Sequence, residues 1–166
     1  MEHRDKTDRH VAQWAPVLPD LDPDIEGAVT RMQKLTLHLR RVREQSLVEF
    51  ELDRPEFETL HKLAGRDGTA TPSELAADLD LAPASVTGRL DVLERRGYVR
   101  RTQSSTDRRR VDVELTPAGR EMWLGAMDVL GNEESRLLGI LDSGERRHLS
   151  DLLRRIMLVA EGDDRA

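Results

Sequence analysis

The chain is most constrained by its punctuation between Asp53 and Thr116. In "DRPEFETLHKLAG", Asp53 and Glu56 stand at capping-box spacing, Pro55 sits in the first turn and Gly65 offers a stop. Phe57, Leu60 and Leu63 form the buried stripe of that helix. "TPSELAADLDL" repeats the start signal, with Thr71 as N-cap, Pro72 at the first helical position and Glu74 closing the box. It carries Leu75, Ala76 and Leu79 as its apolar residues. A third helix opens at Pro83, buries Val86, Leu90 and Leu93, and is placed to end at Gly97.

The face of that third helix away from its stripe carries Ser85, Thr87, Gly88, Arg89 and Asp91. These residues are small, polar or able to donate hydrogen bonds. Two short helices joined by a tight turn, the second with a polar exposed face, describe a helix-turn-helix. Taken alone, the pattern also fits an ordinary pair of bundle helices. The next segment separates the two. "YVRRT" reads as a strand, and Val111, Val113 and Leu115 alternate with Asp112 and Glu114 as a strand buried on one face. The polar stretch "QSSTDRRR" between them makes a β-hairpin.

Arg100, Arg101, Arg108, Arg109 and Arg110 thereby gather beside the third helix, with only Asp107 opposing them locally. The chain as a whole has 32 acidic against 26 basic residues, a formal net charge of -6. Positive charge concentrated on one hairpin of an acidic protein is placed where phosphates would arrive, although a solvated charge run at a hairpin tip is the plainer alternative. A basic hairpin flanking a helix-turn-helix is the winged-helix arrangement. The residues expected to meet DNA are Thr71, Ser73, Ala84, Ser85, Thr87, Gly88, Arg89, Asp107, Arg108, Arg109 and Arg110.

Long apolar stripes flank this centre. Ile25, Val29, Met32, Thr36, Leu39 and Val42 keep a three-four spacing. After Thr116 and Pro117, another stripe runs through Met122, Ala126, Val129, Leu130, Leu137 and Leu141. "DSGE" breaks it at Ser143-Gly144, and Leu149, Leu152, Leu153, Ile156, Met157 and Ala160 resume it. A central domain of this size cannot cover so much apolar face, so pairing with a second copy is the economical solution. The expected organisation is an extension over 1–20 with a short extra helix, a dimerisation helix over 21–50, a winged helix-turn-helix over 51–116 and dimerisation helices over 117–166. The fold class is mainly α with a small β-hairpin wing (α+β).

Composition agrees and excludes several functions. Charged residues make up 35% of the chain and aromatics 3%, as suits helices with solvated outer faces. There is no cysteine, so disulfides and thiolate metal sites are ruled out. No apolar run approaches the roughly 18 residues needed to span a bilayer, and "MEHRDKTDRH" is not a secretory signal, so a cytoplasmic protein is expected. His3, His10, His38, His61 and His148 form no ligand pair at helical spacing, and no phosphate-binding glycine motif occurs. The expectation is therefore no enzyme, no metal and no cofactor. A helical protein-binding adaptor without DNA binding is the alternative, but it leaves the arginine hairpin unexplained.

From about Ile25 to Ala160 the sequence resembles the MarR family of transcriptional regulators. The specific stretch is "SELAADLDLAPASVTGRLDVLERRGYVRR" followed by "TDRRRVDVELTPAGRE", with the Leu-Glu-x-x-Gly exit, the Asp-x-Arg hairpin and Thr-Pro-x-Gly in that order. The resemblance implies a homodimeric repressor on a pseudo-palindromic double-stranded DNA operator, released by a small molecule. It also implies that Arg109 enters the minor groove and that Asp107 holds its guanidinium.

Val11, Trp14 and Leu18 mark one face of an extra helix before Pro19, which resembles the subgroup that responds to urate and similar anionic metabolites. That resemblance implies a ligand site of Trp14, Glu58, Arg89 and Arg101, with Glu58 standing where the subgroup has aspartate. A small anionic effector such as urate or a tricarboxylate is expected. Each position has a plainer reading too: a packing anchor for Trp14, a phosphate contact for Arg89 and an exposed strand position for Arg101.

Overall fold

A computed structural model of the chain describes residues 4–103 and 111–163. Each sequence start signal between Asp53 and Thr116 opens an element. Helix α1 spans Lys6–Trp14, α2 spans Pro23–Glu49 and α3 spans Arg54–Ala64. Strand β1, Thr69–Ala70, precedes α4, Pro72–Leu79, and α5, Pro83–Arg95. Strands β2, Val99–Gln103, and β3, Val111–Leu115, lead into α6, Pro117–Leu138, and α7, Ser143–Asp163.

The caps are the ones the sequence spells out. The Asp53 carboxylate accepts from the Glu56 amide at 2.7 Å, and Glu56 accepts from the Asp53 amide at 2.9 Å. Thr71 and Glu74 make the same reciprocal pair, and Thr116 accepts from the Gly119 amide. Each satisfies amides that a helix start would otherwise leave orphaned. Ala82 offers α5 no side-chain cap, but Pro83 at the first position removes one orphan donor.

Two boundaries differ from the sequence reading. Helix α1 ends at Trp14, because Pro16 has no amide to continue the ladder, so Leu18 lies in the turn beyond it. Ser143 and Gly144 are the first turn of α7 and not a break. Asp142 accepts from the Gly144 and Glu145 amides, and Glu145 accepts from the Asp142 amide.

The sheet is antiparallel, in the order β1-β3-β2. Val99 pairs with Leu115, Arg101 with Val113 and Gln103 with Val111, while Thr69 and Ala70 add a short third strand opposite Glu114 and Val113. Val99 and Val113 point into a core filled by Leu60 and Leu63 of α3, Leu75 of α4, and Val86, Leu90 and Leu93 of α5. Leu47 of α2 and Ala126 of α6 close it from the other side. Burying each of these large side chains is worth roughly 1.5–3 kcal/mol.

A half-buried ion pair locks the two ends of this unit. Arg96, just after α5, donates to both oxygens of Glu56 at 2.8 and 2.7 Å and lies over the Tyr98 ring. Helix α7, by contrast, packs extensively on no other element among the described residues, and Leu152, Leu153, Ile156 and Met157 stay exposed. Among the described residues no helix is long and apolar enough to cross a membrane.

Candidate nucleic-acid interface

Helix α4 closes on Asp80 in the left-handed region, φ 52°, a conformation aspartate tolerates better than most residues. The Leu81 amide then returns to the Ala76 carbonyl, giving the tight turn that launches α5 across α4. With Val86, Leu90 and Leu93 buried, the opposite side of α5 presents Ala84, Ser85, Thr87 and Gly88 to solvent. The Thr87 hydroxyl donates to the Pro83 carbonyl at 3.1 Å, and the residue is exposed. Ser73 is exposed in the first turn of α4, beside the Thr71 cap.

The arginines of the site have partners. Arg89 is only 21% exposed and donates from one nitrogen to the Pro55 carbonyl and to Glu58, each at 3.4 Å. Arg54 donates to the other Glu58 oxygen at 2.7 Å. Arg54 first, and Arg89 after it, hold the Glu58 carboxyl below the usual carboxylate range. Arg101 reaches from β2 to α5: it donates to Asp91 at 2.6 Å, to Glu94 at 3.4 Å and to the Thr87 carbonyl at 3.1 Å. Arg100 pairs across the hairpin with Glu114 at 2.5 Å. Asp107, Arg108, Arg109 and Arg110 lie outside the described residues.

Of the four residues expected to form a ligand site, Glu58 and Arg89 are brought together. Arg101 is engaged with the carboxylates of α5. Trp14 sits on α1, 6.3 Å from the His10 ring, in a recess with Leu18, Leu21 and Glu26.

Sequence reasoning missed a cavity of about 390 Å³ between α2, α3, α4 and α6. Arg43, Phe57, Glu58, His61, Leu79 and Met127 line it. His61 accepts from the Trp123 indole N–H at 3.2 Å and stacks on Phe57. Accepting through Nδ1 places the proton of a neutral ring on Nε2. The signal was there in α3: Glu58, His61 and Lys62 repeat at helical spacing along the border of the apolar stripe.

The MarR family model matches residues 52–111. The HTH-type transcriptional regulator PecS of Dickeya dadantii is 28% identical over 148 residues, which cover 88% of this chain and 89% of PecS. The crystal structure of YusO from Bacillus subtilis aligns at a TM-score of 0.70 and 20% identity, covering 81% of this chain and 94% of YusO. The MepR–DNA complex of S. aureus aligns at a TM-score of 0.64 and 22% identity, covering 77% of this chain and 96% of MepR. At these identities the two structures speak to the fold alone. The matched segment begins beside the Asp53 cap and takes in α3, β1, α4, α5 and β2, ending where β3 starts. Caps, turn, hairpin and family match thus fall on one segment, over which the chain is similar to the MarR family.

Proposed function

We propose that the chain is a sequence-specific regulator of transcription that binds double-stranded DNA as a homodimer and acts as a repressor. The observation that carries this reading is the exposed first half of α5 lying beside the β2–β3 hairpin in a MarR-family fold. A helix so presented fits the major groove with its N-terminal residues foremost. Ser73 and the start of α4 are suited to a phosphate, and Arg109, its guanidinium held by Asp107, is suited to the minor groove. The relative PecS is named as a transcriptional regulator, and MepR was solved on DNA. Catalysis has no part in this reading. With a net charge of -6, attraction to DNA must come from this one surface, and affinity should fall steeply with salt.

The segments outside 51–116 supply the dimer: the extension over 1–20, the helix over 21–50 and the helices over 117–166. Mobility shift and footprinting with the DNA upstream of the protein's own gene test the reading. The expected result is protection of an inverted repeat with half-site centres about 10 base pairs apart. Protection of a single asymmetric half-site overturns it.

A small anionic metabolite, urate or a tricarboxylate, is the proposed effector. The supporting observation is the double placement of Glu58, which lines the cavity and also holds Arg89 of α5. An anion drawn to Arg43 would repel Glu58 and so disturb the tie between α3 and α5. Release of DNA requires that the ligand favour the state that cannot bind DNA. Titration calorimetry with urate and with aconitate tests this. Binding that survives both Trp14→Ala and Arg101→Ala unchanged removes those two residues from the site.

A further inference from the structure

If α5 enters the major groove, as the proposed function has it, its outward side chains decide which bases it can read. Arginine grips guanine, and asparagine or glutamine grips adenine, through paired hydrogen bonds to the purine edge. Helix α5 contains no asparagine, glutamine or lysine. Arg89 points its guanidinium back to Pro55 and Glu58, and Arg95 lies in the last turn. What the first two turns present outward is of a different kind. Thr87 is exposed and has committed its hydroxyl proton to the Pro83 carbonyl, which leaves its methyl as the free group, and exposed Ala84 stands one turn earlier on the same face. Gly88 stands beside them in mid-helix, where glycine costs stability. A Cβ added there would meet nothing within 4 Å, so no packing inside the protein calls for a glycine.

We propose that α5 reads thymine: the Thr87 and Ala84 methyls pack against thymine C5-methyl groups, and Gly88 lets the groove come close enough for them to touch. The Ser85 hydroxyl can donate or accept, so it adds contact without choosing between bases. Glu58 has a part in this selectivity, because by holding Arg89 it keeps a guanine-reading side chain out of the groove.

The test starts from the duplex that the full-length protein selects out of a random-sequence pool. Each thymine of a half-site is replaced in turn by deoxyuridine, which deletes one methyl group and nothing else. At one or two positions affinity should fall about fourfold, the worth of one buried methyl. At the position facing Thr87 this loss should disappear in Thr87→Ser, which keeps the hydroxyl and removes the methyl. Replacing guanines by 7-deazaguanine, which lacks the N7 acceptor, should leave affinity unchanged. A duplex indifferent to deoxyuridine but weakened by 7-deazaguanine overturns the inference and leaves the DNA-binding reading standing. A protein that selects no sequence overturns that reading, and this inference with it.

Discussion

An alanine at Gly119 would place its Cβ 2.1 Å from the Tyr98 carbonyl oxygen and 3.0 Å from a Leu115 methyl. The start of α6 crosses the entry to β2 there, and backbone cannot retreat as a flexible side chain can. Gly119→Ala should therefore cost about 2–3 kcal/mol, read from urea unfolding. Gly88 is the opposite case, with open space where its side chain would be. Gly88→Ala should raise stability by about 0.5–1 kcal/mol through helix propensity alone. The same variant should bind operator DNA more weakly, because the added methyl keeps the groove away from α5. A variant both more stable and equally tight on DNA would show that the gap is not used.

At the scale of elements, Arg101 is the link between hairpin and helix. Its guanidinium meets Asp91, Glu94 and the Thr87 carbonyl, and its amide donates to Glu94 as well. Arg101→Ala leaves the core untouched while freeing the root of the hairpin from α5. DNA affinity should drop by about 1.5–3 kcal/mol, the worth of one charge-assisted hydrogen bond, and the melting temperature should fall modestly, since the same bonds also hold the free protein together. Anisotropy titration and thermal unfolding of one preparation check both halves. Helices α2 and α6 are joined by another ionic group: Glu133 accepts from His38 and, at 2.6 Å, from Arg136. Arg136 first, and His38 after it, hold the Glu133 carboxyl down from 4.5 to about 2. A carboxyl depressed in the fold stabilises it above the ordinary range and loses that contribution as pH falls. The melting-temperature deficit of Glu133→Gln should thus be full at neutral pH and close between pH 4.5 and about 2.

The helices were legible because their signals are local: Asp53, Thr71 and Thr116 cap amides within three residues of themselves. Strand β1 was not, since two residues carry no periodicity and their partners Glu114 and Val113 are distant in sequence. Of the contacts among Trp14, Glu58, Arg89 and Arg101, only one was legible. Glu58 meets Arg89 because α3 packs on α5, a consequence of their apolar stripes. Arg101 instead takes the carboxylates three residues apart on α5, which no family pattern announces. Where Trp14 lies depends on how α1 rests on α2, and that seam is polar: Arg31 with Asp5 and Asp8, and Lys34 with Thr7.

For the whole molecule, the polar seam and the bare α7 lead to one conclusion. Helix α1 satisfies its charges on α2 and leaves Trp14 and Leu18 exposed, while α7 exposes Leu152, Leu153, Ile156 and Met157 along one stripe. Apolar faces of this extent at both ends of a chain mark an interface, and a stable one takes about 800 Å² from each partner. In the proposed homodimer a second copy would supply the matching faces through a two-fold axis, and the same axis would set two α5 helices facing one side. Ile156→Glu puts a carboxylate into the α7 stripe but touches none of the α3-to-β3 core. The wild type should sediment at twice the chain mass at micromolar concentration, and Ile156→Glu at the chain mass with its helical circular dichroism largely kept. Operator affinity should fall far more than any single contact explains, because each half-site is then bound without the gain in effective concentration from its tethered neighbour. A wild type that sediments as a monomer, or an Ile156→Glu variant that stays paired, would show that α7 serves some other surface.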